Sequence, residues 1–357
     1  MTHGTIKRCN QLASFVQEAV EFNAIPPSLV VGATTLNQPG ALSSAQPHVQ
    51  PGVWCRRLAN AGGRTETAGT VKTASAASRL GWHLAAPLLT WKYRMFIAVI
   101  ADYGTGDPAF AEVTQRLLLA LPHAPLQTLS VPPFSTLATG FWLAQLGLNP
   151  GPGQRLLYHN CAPRQDDPEA RQDNEGEGLT YALLPNAVQV VGVNAGYTLS
   201  FIKDYAQVLQ AVNVSRGGSQ FRSRDVFPLA AAAIAQGDFS LLGDHLDPAQ
   251  IPAVPLDRIA WIDGYGNIKT TIPAHTLHLE PETKLVIRIG DVVSDAIYSD
   301  GSFKVAEGTL AFAPGSSGWS APSGGEPLRW MELFLRGGNA WERFGRPRIN
   351  QPITRLS

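Results

Sequence analysis

Two short stretches place carboxylates where a ligand could reach them. Asp102 and Asp107 lie in ADYGTGD, directly after the continuous apolar run FIAVIA. In an open α/β sheet, ligands bind at the carboxyl ends of the strands. A carboxylate there can accept both hydroxyls of a ribose, and this is the role expected of Asp102. For Asp107 a second reading stands beside it, since Asp at a helix start commonly caps the helix. Asp263, Tyr265 and Asn267 lie in IDGYGNIKTTI, where DGYGN joins two β-type runs; an ordinary Gly-rich hairpin turn is the plain alternative. Ser316 and Ser317 lie in FAPGSSGW, again a turn by default. Phe134, in VPPF, is either core or a stacking platform. His159 ends an apolar run in LYHNCAP, where a lone histidine is usually structural. ADYGTGD is not a dinucleotide G-x-G-x-x-G loop. No His/Cys cluster has zinc spacing and no G-x-S-x-G or HExxH occurs, so no metal site is expected.

Two kinds of layer are needed to hold these residues. From Met95 to about Gly243 strand and helix patterns alternate. Phe96–Ala101, Arg155–Tyr158, Leu179–Leu184 and Val188–Val193 read as strands. Ala109–Leu121 and Ser135–Leu148 read as helices, and Arg224–Gln236 as an Ala-rich helix. The continuous apolar strands predict an α/β domain over 95–245 with a largely buried sheet. After a Pro-rich linker (246–255) come short β-type runs: Arg258–Ile262, Gly266–Ile272, Lys284–Ile289, Ser302–Val305, Thr309–Ala313 and Arg329–Phe334. They predict a small antiparallel β-barrel over 256–346, with 347–357 as a tail.

Composition narrows the function classes. The chain has 28 Lys+Arg and 28 Asp+Glu, so it lacks the basic excess of a dedicated nucleic-acid binder. No apolar run approaches the roughly 18 residues of a membrane span. The three cysteines are scattered, which fits a reducing, cytoplasmic setting. The charge is unevenly spread. Residues 1–94 hold nine basic and three acidic residues and are rich in Ala, Ser, Thr and Gln. They read as a disordered leader: either an organelle transit segment or, the reading favoured here, upstream sequence ahead of a true start at Met95.

Taken together the motifs carry more than each does alone. ADYGTGD after the first strand resembles the signature of the S-adenosylmethionine (SAM) hydroxide adenosyltransferases and of the related SAM-dependent fluorinases and chlorinases. DGYGNIKTTI resembles that family's F-G-N-x-x-T-N motif. FRSRDVFPLAAA resembles its F-x-x-R-[DE]-x-[FV] segment. SFKVAEG, FAPGSSGW and MELFLRGGNA resemble its C-terminal run, and the order is kept over about 95–345. The resemblance implies attack at C5′ of SAM, an α/β domain joined to a β-barrel domain, and a homotrimer binding SAM between one subunit's first domain and its neighbour's second. It implies that Asp102 holds the ribose diol and that Phe134 packs beside ribose or adenine. Phe303 would stack on adenine and Asn267 would hydrogen-bond it. Asp263 would pair with the methionine ammonium and Ser316, with Ser317 beside it, would meet the carboxylate. SAM is substrate here, and no further cofactor is implied.

The departures bear on the nucleophile. Family hydrolases carry D-P-G-V-G with a following Arg, and a His in F-H-G-R-D. Here the loop reads NCAPR, from Asn160 to Arg164, and Arg222 stands at the His position. The Asp of the family's P-D-N-G motif is Asn194, and an amide cannot act as a base in the way a carboxylate can. Arg164 and His159 are the candidates to replace the lost groups. Ser223 follows Arg222 as a Ser follows the corresponding Tyr in the halogenases, which keeps an anion open as nucleophile. Against that, Ala109 stands where halogenases place a Ser. Three functions follow in order of expectation: SAM hydrolysis to adenosine and L-methionine, the same attack by halide or another anion, and SAM or nucleoside binding without catalysis.

Overall fold

The computed structural model describes residues 95–161, 177–215, 217, 219–301, 304–320 and 326–356. The leader, Arg164 and Phe303 therefore lie outside the described residues.

The first layer opens with β1 (Phe96–Ala101), α1 (Pro108–Ala120), β2 (Leu126–Ser130), α2 (Thr136–Gly147) and β3 (Arg155–Asn160). It continues with β4 (Leu179–Leu184), β5 (Val188–Val193), β6 (Val208–Val212), α3 (Arg222–Asp225), α4 (Phe227–Ala235) and β7 (Leu242–His245). Its seven strands run in the order β2-β1-β3-β5-β4-β6-β7. The four strands from β2 to β5 are mutually parallel, and the other three pair antiparallel. Side chains alternate across a strand, and β1 feeds both faces. Ile97 and Val99 pack with Val113 and Leu117 of α1 and Ala231 and Ile234 of α4. Ala98 and Ile100 pack with Leu137 and Phe141 of α2. Burial on both faces explains why these strands read as unbroken apolar runs.

Local chemistry sets the helix ends. Asp107 caps α1 by accepting from the Ala109 N–H at 2.8 Å, with Pro108 at the first helical position. The expected single helix over Arg224–Gln236 is instead two. It breaks at Val226, just before Pro228, whose ring and missing N–H suit a helix start and not an interior.

The second layer comprises β8 (Ile259–Ile262), β9 (Ile268–Pro273), β10 (Lys284–Ile289), β11 (Val292–Tyr298), β12 (Leu310–Trp319) and β13 (Leu328–Leu335), then α5 (Ala340–Arg343) and β14 (Ile353–Leu356). The sheet order is β14-β10-β11-β12-β13-β9-β8. Its two edges meet: Arg258 bridges Pro352, and Ile353 N–H donates to Asp257 O at 2.8 Å. The sheet is thus curled and barrel-like around Ile259, Ile287, Phe312 and Leu333. It departs from the expected all-antiparallel barrel at one place, since β11 and β12 pair parallel. The stretch read as a tail includes β14, which pairs with β10. Of the run expected at 302–305, the described Lys304 and Val305 form a bend.

The layers share one core. Phe141 and Phe201 of the first meet Trp319 and Trp330 of the second, with ring centroids 5.8–6.4 Å apart. Trp142 meets Trp261 edge-on at 5.4 Å. Among the described residues no helix is long and apolar enough to cross a membrane.

Candidate functional site

Parallel strands β1, β3 and β5 lie side by side and point their carboxyl ends the same way. They deliver Asp102, Asn160 and Asn194 to one sheet edge. Asp102 follows β1, and its Oδ2 accepts from the Phe134 N–H at 3.0 Å. That bond spans 32 residues and holds Phe134 at φ 60°. A bulky residue in this left-handed region costs about 1–2 kcal/mol, so the bond offsets strain as well as satisfying a donor. Its consequence is a presented ring: Phe134 is 52% exposed beside Pro132 and Pro133. Together with Trp261, Ile262, Trp341 and Arg346 this loop lines a cavity of about 590 Å³. Its walls are largely apolar and aromatic, and of the expected site residues Phe134 alone lines it.

Behind the edge sits a hydroxyl network. The Tyr103 hydroxyl donates to Ser223 Oγ at 2.8 Å, and Tyr158 donates to the Ser223 carbonyl at 2.6 Å. Ser130 Oγ donates to the Tyr103 carbonyl at 2.5 Å, and the Asn160 carboxamide bonds the Tyr103 phenol. Burial pushes both phenols well above their ordinary range, so they stay neutral. The Cys161 thiol is pushed up to about 12, by burial first and by the adjoining Asp102 carboxylate second. It remains a thiol and not a nucleophile.

His159, expected as a possible base, is fully buried within β3. Its ring lies against Gly192 of β5, where a Cβ would come within 2.1 Å of it. Neither ring nitrogen has a hydrogen-bond partner among the described residues, and burial pushes its pKa down to about 3. A ring buried in this way does not face a ligand, so the geometry gives the expected base role no support. Arg222 donates to the Ser215 carbonyl at 3.2 Å and lies over the Phe227 ring. Arg224 is neutralised by Glu112 at 3.1 Å and Asp225 at 2.6 Å. Asn194 donates its backbone N–H to Gly178 O at 3.0 Å. Asp107 is engaged as a cap, and its charge also acts on the Tyr103 phenol.

The barrel-like sheet gathers a second group. Asp263 accepts from the backbone N–H groups of Tyr265 and Asn267 and from Asn267 Nδ2, at 2.9–3.0 Å. The DGYGN segment is thus a turn pinned by its own aspartate, with Tyr265 82% exposed at its tip. Lys269 Nζ lies 2.7 Å from Glu332, 3.2 Å from Ser316 Oγ and 4.0 Å from Asp263. Ser316 and Ser317 both turn their donors onto Glu332. The contacts thus sort the expected residues into two groups: Asp102, Phe134, Asn160 and Ser223 at the α/β edge, and Asp263, Asn267, Ser316 and Ser317 on the barrel-like sheet.

Sequence reasoning passed over Tyr103, Cys161, Lys269 and Glu332. The last two left a trace: each is a single charge inside an apolar β run, NIKTTI and MELFL, and the signs are opposite.

Scanned against models of known protein families the chain finds no match, and a search of curated proteins finds none either. Solved structures do resemble it. An uncharacterized conserved protein from Thermotoga maritima aligns over all of its own length and 73% of this chain, at 17% identity and a TM-score of 0.58. A conserved hypothetical protein from Thermus thermophilus aligns over 99% of itself and 73% of this chain, at 20% identity and a TM-score of 0.48. The first likeness supports the architecture of an α/β layer with a barrel-like sheet.

Proposed function

We propose that the chain binds SAM at the β1–β3–β5 edge and directs water onto its C5′ carbon, releasing adenosine and L-methionine. The observation that carries this reading is the convergence of Asp102, Asn160 and Asn194 on one edge, with Asp102 shaping the aromatic wall at Phe134. Asp102 would take the ribose diol and the wall the flat base. The oxygen–C5′ bond forms as the C5′–sulfur bond breaks. The bonding pair goes to sulfur, which leaves as a neutral thioether, and the water's proton passes to solvent. Because a sulfonium needs no general acid, the protein supplies alignment and exclusion of water. The barrel-like sheet would complete the site with Asp263 for the ammonium, in a homotrimer whose neighbouring subunit contributes it.

Two observations favour the other readings. Ser223 Oγ accepts from Tyr103, which leaves the serine proton to offer to an anion. The described edge presents amides and a sealed histidine in place of a base, which suits binding without turnover.

Incubating the purified chain with SAM and separating the products distinguishes the three. Adenosine supports hydrolysis, a 5′-substituted adenosine supports anion attack, and binding without product supports the third. Asp102→Ala is expected to weaken SAM binding by about tenfold or more, the scale of a charge-assisted hydrogen bond pair. Unchanged affinity, or no SAM binding by the parent chain, rejects the reading.

A further inference from the structure

The Ser316–Ser317 turn is an anion cradle that this chain has filled from within. Successive backbone N–H groups turned toward one point make a concavity suited to a carboxylate. Here the two serines add their hydroxyls and Lys269 adds a cation. The group at that point is Glu332. Its Oε1 lies 2.7 Å from Lys269 Nζ, 3.0 Å from Ser317 Oγ and 3.1 Å from the Ser316 N–H. The Ser317 N–H and Ser316 Oγ stand farther out, both at 3.4 Å. Gly315 makes the room, since a Cβ there would come within 2.1 Å of the Glu332 carboxyl carbon. A β-bulge between Pro314 and Gly318 turns the two serines onto the partner strand. Lys269 is matched by Glu332, which leaves Asp263, 4.0 Å from the same ammonium and partly exposed, as the carboxylate in excess.

We propose that Glu332 makes this end of the site indifferent to a ligand carboxylate, so that it selects a cationic nucleoside tail through Asp263 and accepts one that carries an amine and no carboxyl group. The proposal rests on the SAM-type reading above, which sets the ligand's tail against Asp263 and Ser316. A carboxylate arriving there meets donors already engaged and a like charge beside them. It can take the cradle only by displacing Glu332 from a buried position where its partners would go with it. An ammonium meets the opposite sign and displaces nothing.

Calorimetric titration of the full chain with SAM, with decarboxylated SAM (S-adenosyl-3-methylthiopropylamine) and with adenosine tests this. The two sulfonium ligands are expected to bind within about threefold of each other, and both about tenfold or more tighter than adenosine. SAM binding tighter than its decarboxylated form by about tenfold or more overturns the proposal. That ratio is read on the parent chain and needs no variant. Glu332→Gln keeps the shape and releases the charge of Lys269; it is expected to move the ratio toward SAM by about fivefold or more. An unmoved ratio counts against the proposal. If none of the three ligands binds, the nucleoside reading has itself failed and this inference with it; if all bind with SAM strongly preferred, only the inference falls.

Discussion

Asp102 and Asp263 both follow a β-strand and both accept backbone N–H groups, yet they serve different ends. Asp263 closes its own turn, with every hydrogen-bond partner named above within four residues. Asp102 reaches 32 residues along the chain to fix a strained aromatic residue at a cavity wall. Their surroundings differ in kind as well. The α/β edge is built from neutral hydroxyls, amides and a neutral imidazole, whereas the barrel-like sheet buries charge against charge at Lys269 and Glu332. A local carboxylate stabilises the segment that carries it. A long-range one shapes a surface.

The largest effect expected to sharpen this contrast is at the buried ion pair. Glu332→Leu leaves Lys269 with only the more distant Asp263, 4.0 Å away, as counter-charge and should cost about 3 kcal/mol in denaturant unfolding. Lys269→Met should cost less, because the serine donors still serve the carboxylate. Equal losses would show that the cradle contributes nothing.

Next comes the neutral side of the comparison. His159 is held down to about 3 in the fold, against about 6.5 when unfolded. Between those values the unfolded chain binds the extra proton, so stability falls as pH drops from about 6.5 towards 3. The loss is on the order of a few kcal/mol. Thermal midpoints measured from pH 7 to pH 4 should fall more steeply for the parent chain than for His159→Phe. Parallel curves would mean that the imidazole does not govern the slope.

The smallest effects concern the local aspartates. Asp263→Ala loses three hydrogen bonds of turn closure and should cost about 1–2 kcal/mol. Asp107→Ala removes a helix cap and should cost about 1 kcal/mol. Both are read by denaturant midpoint, and Asp263→Ala proving harmless would break the contrast drawn above.

How much of this was legible in the sequence follows from the same physics. FIAVIA and its neighbours were readable because strands buried on both faces are continuously apolar. The α1 start was readable because Asp107-Pro108 is a local signal. β11 was not, since Ser294 and Ala296 fill the middle of its inward face between Val292 and Tyr298, too small to mark an apolar stripe. The edge residues Asp102, Asn160 and Asn194 were singled out from motif position. Tyr103, next in the chain after Asp102, was passed over because a tyrosine's hydrogen-bond partner 120 residues away leaves no mark on the chain. Lys269 and Glu332 were missed because each, taken singly, reads as a solvent-facing charge; only the pairing of β9 with β13 brings them together.

The aromatic seam of Phe141, Phe201, Trp319 and Trp330 ties the two layers into one body, and Trp142 against Trp261 extends it toward the wall at Phe134. Prying such interlocked rings apart would expose them to water, so neither layer can swing aside as a gate. A guest bound at the Phe134 cavity would then enter a slot of preset width. Stopped-flow mixing should accordingly record a single concentration-dependent step, with no slow rearrangement after it.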